Sequence, residues 1–275
     1  MEYKYKVKIT GNREVYLREL TVDDYKNLQK TCIESDLTIF EHYIDSVVAE
    51  LSDVDISELN LIDIYILVLE IRRYSISDDK MFTTHINGKA GGIKVTIDQL
   101  ITPVIDTYNT VSNGGVYEVE LDDFAVDSIV FDPFSKGDVI KAYRKEGELF
   151  EVDNISDFLP LAIKKQIDDK ISHIYKRFSD IQLFKLTNKD GVDNVIGFEL
   201  DKKYVYEFLR VMLKDDLKSF YQNIFDLKRE LNIGFHEHKH MTLSEMEIYI
   251  SMYNKHIEEQ NEKNKGESNN GLPNI

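Results

Sequence analysis

The chain has 275 residues, 42% of them hydrophobic, enough for a core in one large domain or two modest ones. Its 34 basic residues against 50 acidic ones leave a net charge of -16, so a nucleic-acid backbone would be repelled from all but a locally basic face. A single cysteine, Cys32, excludes an internal disulfide and a cysteine-based zinc cluster, and points to a reducing compartment.

The N-terminal "YKYKVKI" alternates lysine with apolar residues, and "REVYLREL" repeats the strand-like pattern after Gly11 and Asn12. The pair predicts an opening β-hairpin. Lys4, Lys6 and Lys8 read as the protected wet face of an edge strand rather than as a nucleic-acid patch. Thr21, with Asp24 three residues on, predicts the N-cap of a helix through "VDDYKNLQKTCIE". "LTIFEHYIDSVVAEL" then sets Leu37, Phe40, Ile44, Val47 and Leu51 at helical spacing. A third helix is predicted in "SELNLIDIYILVLEIRRYS", apolar nearly all round between Leu59 and Ile71 and so the most buried of this half. Its two internal acids, Asp63 and Glu70, argue for a core helix and against a membrane span.

After Asp79 the texture changes to short alternating or β-branched runs, "KMFTTHI", "GIKVTI", "GVYEVEL" and "DSIVF", divided by the turn segments "NGKAGG" and "SNGG". These predict a small antiparallel β region over residues 80–133. Helices are expected over 157–178 and 201–231, separated by a hairpin near 183–200 whose "KDG" is a turn signal. Thr242 and Glu245 have the spacing of a capping box, so the final helix should begin there and run to Glu262. The polar, aperiodic end predicts a disordered tail over 263–275.

The fold class expected is therefore α+β: an N-terminal β-hairpin and helices, a small antiparallel β region and a C-terminal helical part. The expected division is 1–135, a mainly helical 136–262, and the tail. No apolar run reaches the roughly 18 to 20 residues needed to cross a bilayer, and the N-terminus lacks a signal-peptide core. A soluble protein with neither membrane nor nucleic-acid partners is expected.

"GFHEHKHMTLSEMEIYI" contains the most suggestive chemistry, because His236, His238 and His240 alternate as three zinc ligands on one face of a strand would. Against this stands the capping box directly after them, which puts the histidines in a solvated connector. "NGKAGG" lacks the spacing of a phosphate cradle. Cys32 has no evident activating partner and reads as packed. Asp122 with Asp123, and Asp215 with Asp216, follow no hydrolase motif and read as charged surface. No catalytic set and no cofactor are expected. Met241, Leu243, Met246, Ile250, Met252 and Tyr253, apolar and rich in adaptable methionine, form the candidate partner-binding face of the last helix. The other reading of that face is packing against the 201–231 helix.

The order of "GNREVYLRELTVDDYKNLQKTCIESD", "VDISELNLIDIYILVLEIRRYSISDD", "VTIDQL" and "SIVFDPFS" resembles the baseplate hub and hub-assembly family of T-even and related contractile-tailed phages. The terminal "HMTLSEMEIYISMYNKHIEEQNEK" is similar to the last helix of phage tail and baseplate assembly factors. The likeness covers residues 13–135 and 220–262, which leaves 137–220 as an apparent insertion. Some relatives carry paired cysteines in the β region; this chain has none there, so no metal-supported fold is implied. The resemblance implies a non-catalytic protein of the host cytoplasm, either a lasting part of the tail baseplate or a chaperone-like assembly factor that leaves it. Its partners would be other phage baseplate or tail proteins. The contrasting class is a metal-dependent enzyme using His236, His238 and His240.

Overall fold

The computed structural model describes residues 3–33, 36–86, 88–112, 116–121, 126–151, 159–231 and 233–269. In chain order the first elements are β1 (Tyr5–Lys8), β2 (Glu14–Leu17), α1 (Val22–Ile33), α2 (Leu37–Leu51) and α3 (Leu61–Ser75). The strands β3 (Asp79–Ile86) and β4 (Lys89–Thr96) lead into α4 (Ile97–Val111). Four further strands, β5 (Tyr117–Glu120), β6 (Ser128–Phe131), β7 (Ile140–Lys145) and β8 (Glu148–Glu151), precede α5 (Leu161–Ser179). The chain ends with β9 (Gln182–Thr187), β10 (Asp193–Gly197), α6 (Lys202–Leu213), α7 (Leu217–Leu231), α8 (Phe235–His240) and α9 (Leu243–Asn269). The class is α+β, as expected, with helices beside small antiparallel sheets and the predicted hairpin at the start. Among the described residues no helix is long and apolar enough to cross a membrane.

Two compact units divide the chain: Met1–Arg18 with Ser35–Met212, and Glu19–Glu34 with Leu213–Ile275. This is not the linear division at residue 135. The physical reason is α1, whose partners lie at the other end of the sequence. Gln29, fully buried, donates to the Leu213 carbonyl at 2.8 Å and accepts the Asp215 amide at 2.8 Å. Tyr25 packs edge-on against Phe220, ring centroids 4.9 Å apart.

In the larger unit β1 and β2 pair antiparallel in the register Val7↔Val15, turning through Thr10–Asn12 where Gly11 takes φ 67°. That left-handed conformation is one a glycine adopts without steric cost. Asp36 caps α2 by accepting the Thr38 amide at 2.8 Å. Asn60 and Asp63 form a reciprocal capping box on α3, which is buried from Leu61 to Arg72. Each fully buried aliphatic side chain of this helix contributes roughly 1.5–3 kcal/mol. Tyr65 finds a partner for its buried hydroxyl in the Leu100 carbonyl of α4, at 3.1 Å.

Helix α4 lies inside the 80–133 stretch, where a small antiparallel β region is expected. Thr96 and Gln99 cap it with a reciprocal box, and Leu100, Ile101, Val104 and Tyr108 give it one buried face despite Pro103 within it. The sheet β5-β6-β7-β8 aligns Val119, Ile129, Tyr143 and Phe150 across its strands. One face is covered by Ile163 and Ile167 of α5, packed on Val119, Ile129, Phe131 and Ile140. The β7–β8 hairpin belongs to a region expected to be mainly helical. The predicted 183–200 hairpin is β9 with β10, and the Thr84 hydroxyl of β3 accepts the Thr187 amide of β9 at 2.9 Å.

In the smaller unit the expected 201–231 helix is broken at residues 214–216, and only its second part, α7, belongs to this unit in full. Asp216 accounts for the restart: its carboxylate accepts the Lys218 amide at 3.0 Å and the Ser219 hydroxyl at 2.6 Å. Thr21 and Asp24 cap α1 reciprocally at 2.9 and 3.1 Å. The last helix continues to Asn269, beyond the expected end at Glu262 and into the stretch read as a disordered tail. Its amide ladder extends the helix through residues with no apolar face. Residues 270–275 lie outside the described residues.

Candidate functional site

Helix α9 begins at the expected capping box: the Thr242 amide donates to Glu245 at 2.8 Å and the Glu245 amide to the Thr242 hydroxyl at 3.2 Å. The chain just before it is tied to α1, since the Val22 amide donates to the Met241 carbonyl at 2.9 Å. From there the helix shows two apolar stripes. The inner one contains Leu243 and Met246, both buried, followed by half-buried Ile250, Tyr253 and Ile257. The outer one contains Ile248, Tyr249 and Met252, which are 58%, 42% and 63% exposed.

The six candidate partner-binding residues thus divide between two environments. Met241, Leu243 and Met246 are buried within the unit, Ile250 and Tyr253 are half-buried, and Met252 is open. Ile248 and Tyr249 belong with Met252 and were not singled out from sequence. Their spacing of i, i+1 and i+4 is the signal that finds them once the inner stripe is separated off. Helix α7 repeats the pattern: Phe220, Ile224 and Leu227 are buried while Tyr221 and Phe225 are exposed, with the Arg229 guanidinium 5.6 Å from the Phe225 ring centre. Exposed aromatic, methionine and arginine side chains are the composition of protein-contact surfaces.

The histidine segment forms a short helix, α8, rather than the expected loop. Glu237 supports its start by accepting the Gly234 amide at 3.2 Å. On a helix, positions two apart are turned by about 200°, so 236 and 238 do not share a face as they would on a strand. The side chains of His236 and His238 lie outside the described residues, and His240 is exposed. Among the described residues no group of three histidine, cysteine, aspartate or glutamate side chains is placed to hold a metal.

Other sequence candidates have structural roles. Cys32 is buried in α1. "NGKAGG" contributes the β3–β4 turn, with Gly88 at φ 75° and Asn87 outside the described residues, as are Asp122 and Asp123. Asp215 accepts from the Tyr25 hydroxyl at 3.4 Å, and its neighbour Asp216 is the cap of α7. The most perturbed carboxyl, Glu70 of α3, is pushed up to about 7 by burial, with Arg73 3.2 Å away opposing the shift. Arg73 also pairs with Asp78 and with Asp98 at the start of α4, so this network ties two helices together.

No protein-family model, no curated protein and no solved structure matches this chain.

Proposed function

We propose that the protein is a baseplate hub component or hub and tail assembly factor of a contractile-tailed phage, acting through protein–protein contacts and without catalysis. The observation that carries the binding role is the outer stripe of α9, where Ile248, Tyr249 and Met252 stand in solvent on a helix whose opposite stripe packs. Leaving three large apolar side chains in water is unfavourable, and covering them with a partner recovers roughly 25 cal/mol per Å² of apolar surface. The phage assignment rests on the sequence resemblance, and the α+β build opened by a hairpin is compatible with it.

The test is co-purification from phage-infected cells. Tagged wild-type protein is expected to capture baseplate or tail proteins, whereas Ile248→Asp combined with Met252→Asp is expected to fold normally and capture none. Equal capture by both forms removes α9 from the binding surface. Capture of no tail protein by the wild type counts against the phage assignment.

A further inference from the structure

A cleft of about 550 Å³ opens in the larger unit where the Thr10–Asn12 turn, residues 57–60 and residues 135–137 come together. A second hollow, of about 780 Å³, adjoins it and shares Ser57, Val116, Asp132 and Lys141 on its walls. Their chemistry differs. Arg13 and Lys136 line the first, while Val130, Ile140, Ala142 and Leu149 line the second. Lys141 stands at the junction.

Arg13 is engaged by Asp63, 2.7 Å from its guanidinium. The two lysines hydrogen-bond to neutral acceptors, Lys136 to the Ile56 carbonyl at 2.7 Å and Lys141 to the Ser135 hydroxyl at 2.6 Å, while the charges of Asp45, Asp55 and Asp63 act on Lys136 and that of Asp132 on Lys141. An ammonium has three N–H donors, so each lysine retains capacity for a further acceptor. Burial lowers the Lys136 pKa from the ordinary lysine value.

The walls also carry Glu58, Asp132, Asp138 and Glu151. These would repel a ligand with charge spread along its length, so they select for one anionic group on an uncharged body. Val116 and Leu149, 52% and 51% exposed, offer that body an apolar wall.

We propose that the double cleft binds a monocarboxylate on an apolar body, with the carboxylate at Lys136 and Lys141 and the body along Val130, Ala142 and Leu149. A free aliphatic acid and the C-terminal residue of a polypeptide share this chemistry. The site is built from residues of the larger unit and shares none with the outer face of α9.

Calorimetric titration of the full-length protein tests the proposal with two matched pairs: octanoate against octanamide, and an acetylated tripeptide of alanine, leucine and valine as free acid against its amide. At least one acid should bind saturably, its amide roughly tenfold more weakly. Lys136→Met and Lys141→Met should each weaken that acid by a similar factor. Binding of octanoate alone assigns an aliphatic acid, of the peptide acid alone a chain terminus, and of both the shared carboxylate chemistry. If a lysine variant fails to fold, the wild-type amide resonances of residues 136–141 must shift on addition of the acid. No binding of either acid, equal binding of acid and amide, undiminished affinity in both folded variants, or shifts confined elsewhere overturns the proposal.

Discussion

Arg13 of the first hairpin places its guanidinium 2.7 Å from the carboxylate of Asp63, which is fully buried in the first turn of α3. The same carboxylate accepts the Thr10 amide at 2.9 Å, the Thr10 hydroxyl at 2.7 Å and the Asn60 amide at 3.2 Å. One buried acid thereby joins the β1–β2 turn to the start of the central helix. Asp63→Ala strands the Thr10 amide and hydroxyl and the Asn60 amide together, at about 1–3 kcal/mol for each buried donor left unsatisfied. Arg13→Met should cost less, because the Asp63 carboxylate left behind still accepts the Thr10 amide, the Thr10 hydroxyl and the Asn60 amide. Urea denaturation of both variants checks the order; a smaller loss for Asp63→Ala than for Arg13→Met contradicts it.

Glu70 makes stability depend on pH in an unusual direction for a carboxyl. Its folded-state pKa is raised to about 7 from 4.5. Below the unfolded value both states are protonated, and between the two values the folded state holds a proton that the unfolded state has lost. This group's contribution therefore falls as pH rises from about 4.5 to 7, by roughly 3 kcal/mol at most. Glu70→Gln removes the dependence. The stability difference between variant and wild type should grow in favour of the variant from pH 4.5 to pH 8, and a difference that is flat or shrinks over that interval counts against the buried, neutral carboxyl.

Leu67 and Leu69 have no exposed surface. Leu67→Asp replaces packed methyl groups with a carboxylate far from water, at a cost of several kcal/mol that exceeds the stability margin of many domains. Soluble expression should be lost for Leu67→Asp and for Leu69→Asp. Wild-type melting of both would require α3 to leave the core.

Local signals made much of this fold legible. The apolar spacing in residues 37–51 marks α2, and the caps Thr21 with Asp24 and Thr242 with Glu245 both form as their spacing indicates. Pro103 and several β-branched residues mask helix α4, and the Thr96–Gln99 box that starts it is its one local signal. The β7–β8 turn had a cue in Gly147, which with Glu146 takes the positive φ that a tight hairpin needs. Asp216 likewise marks the break before α7. The grouping of α1 with the C-terminal helices had no local cue, because it depends on contacts such as Gln29 to Leu213 across 184 positions. On α9 the sequence reveals an apolar surface but not its division, since burial of Met246 and exposure of Met252 are set by neighbouring helices.

Truncation separates the two roles of α9. Ending the chain after Tyr253 removes no buried side chain among the described residues and retains Ile248, Tyr249 and Met252. This form should melt close to the full-length protein and keep its partners. Ending after His240 instead deletes Met241, Leu243 and Met246, whose burial contributes roughly 1.5–3 kcal/mol each. It also leaves the Val22 amide and the Leu20 carbonyl without Met241 and Leu243, their backbone partners at 2.9 and 3.4 Å. The shorter form should show a clearly lowered melting temperature and a tendency to aggregate, read by circular dichroism and gel filtration. If it instead melts like the full chain but captures no partner, the inner stripe is a binding surface rather than a packing one; if the longer form also loses its partners while folding normally, recognition lies beyond residue 253.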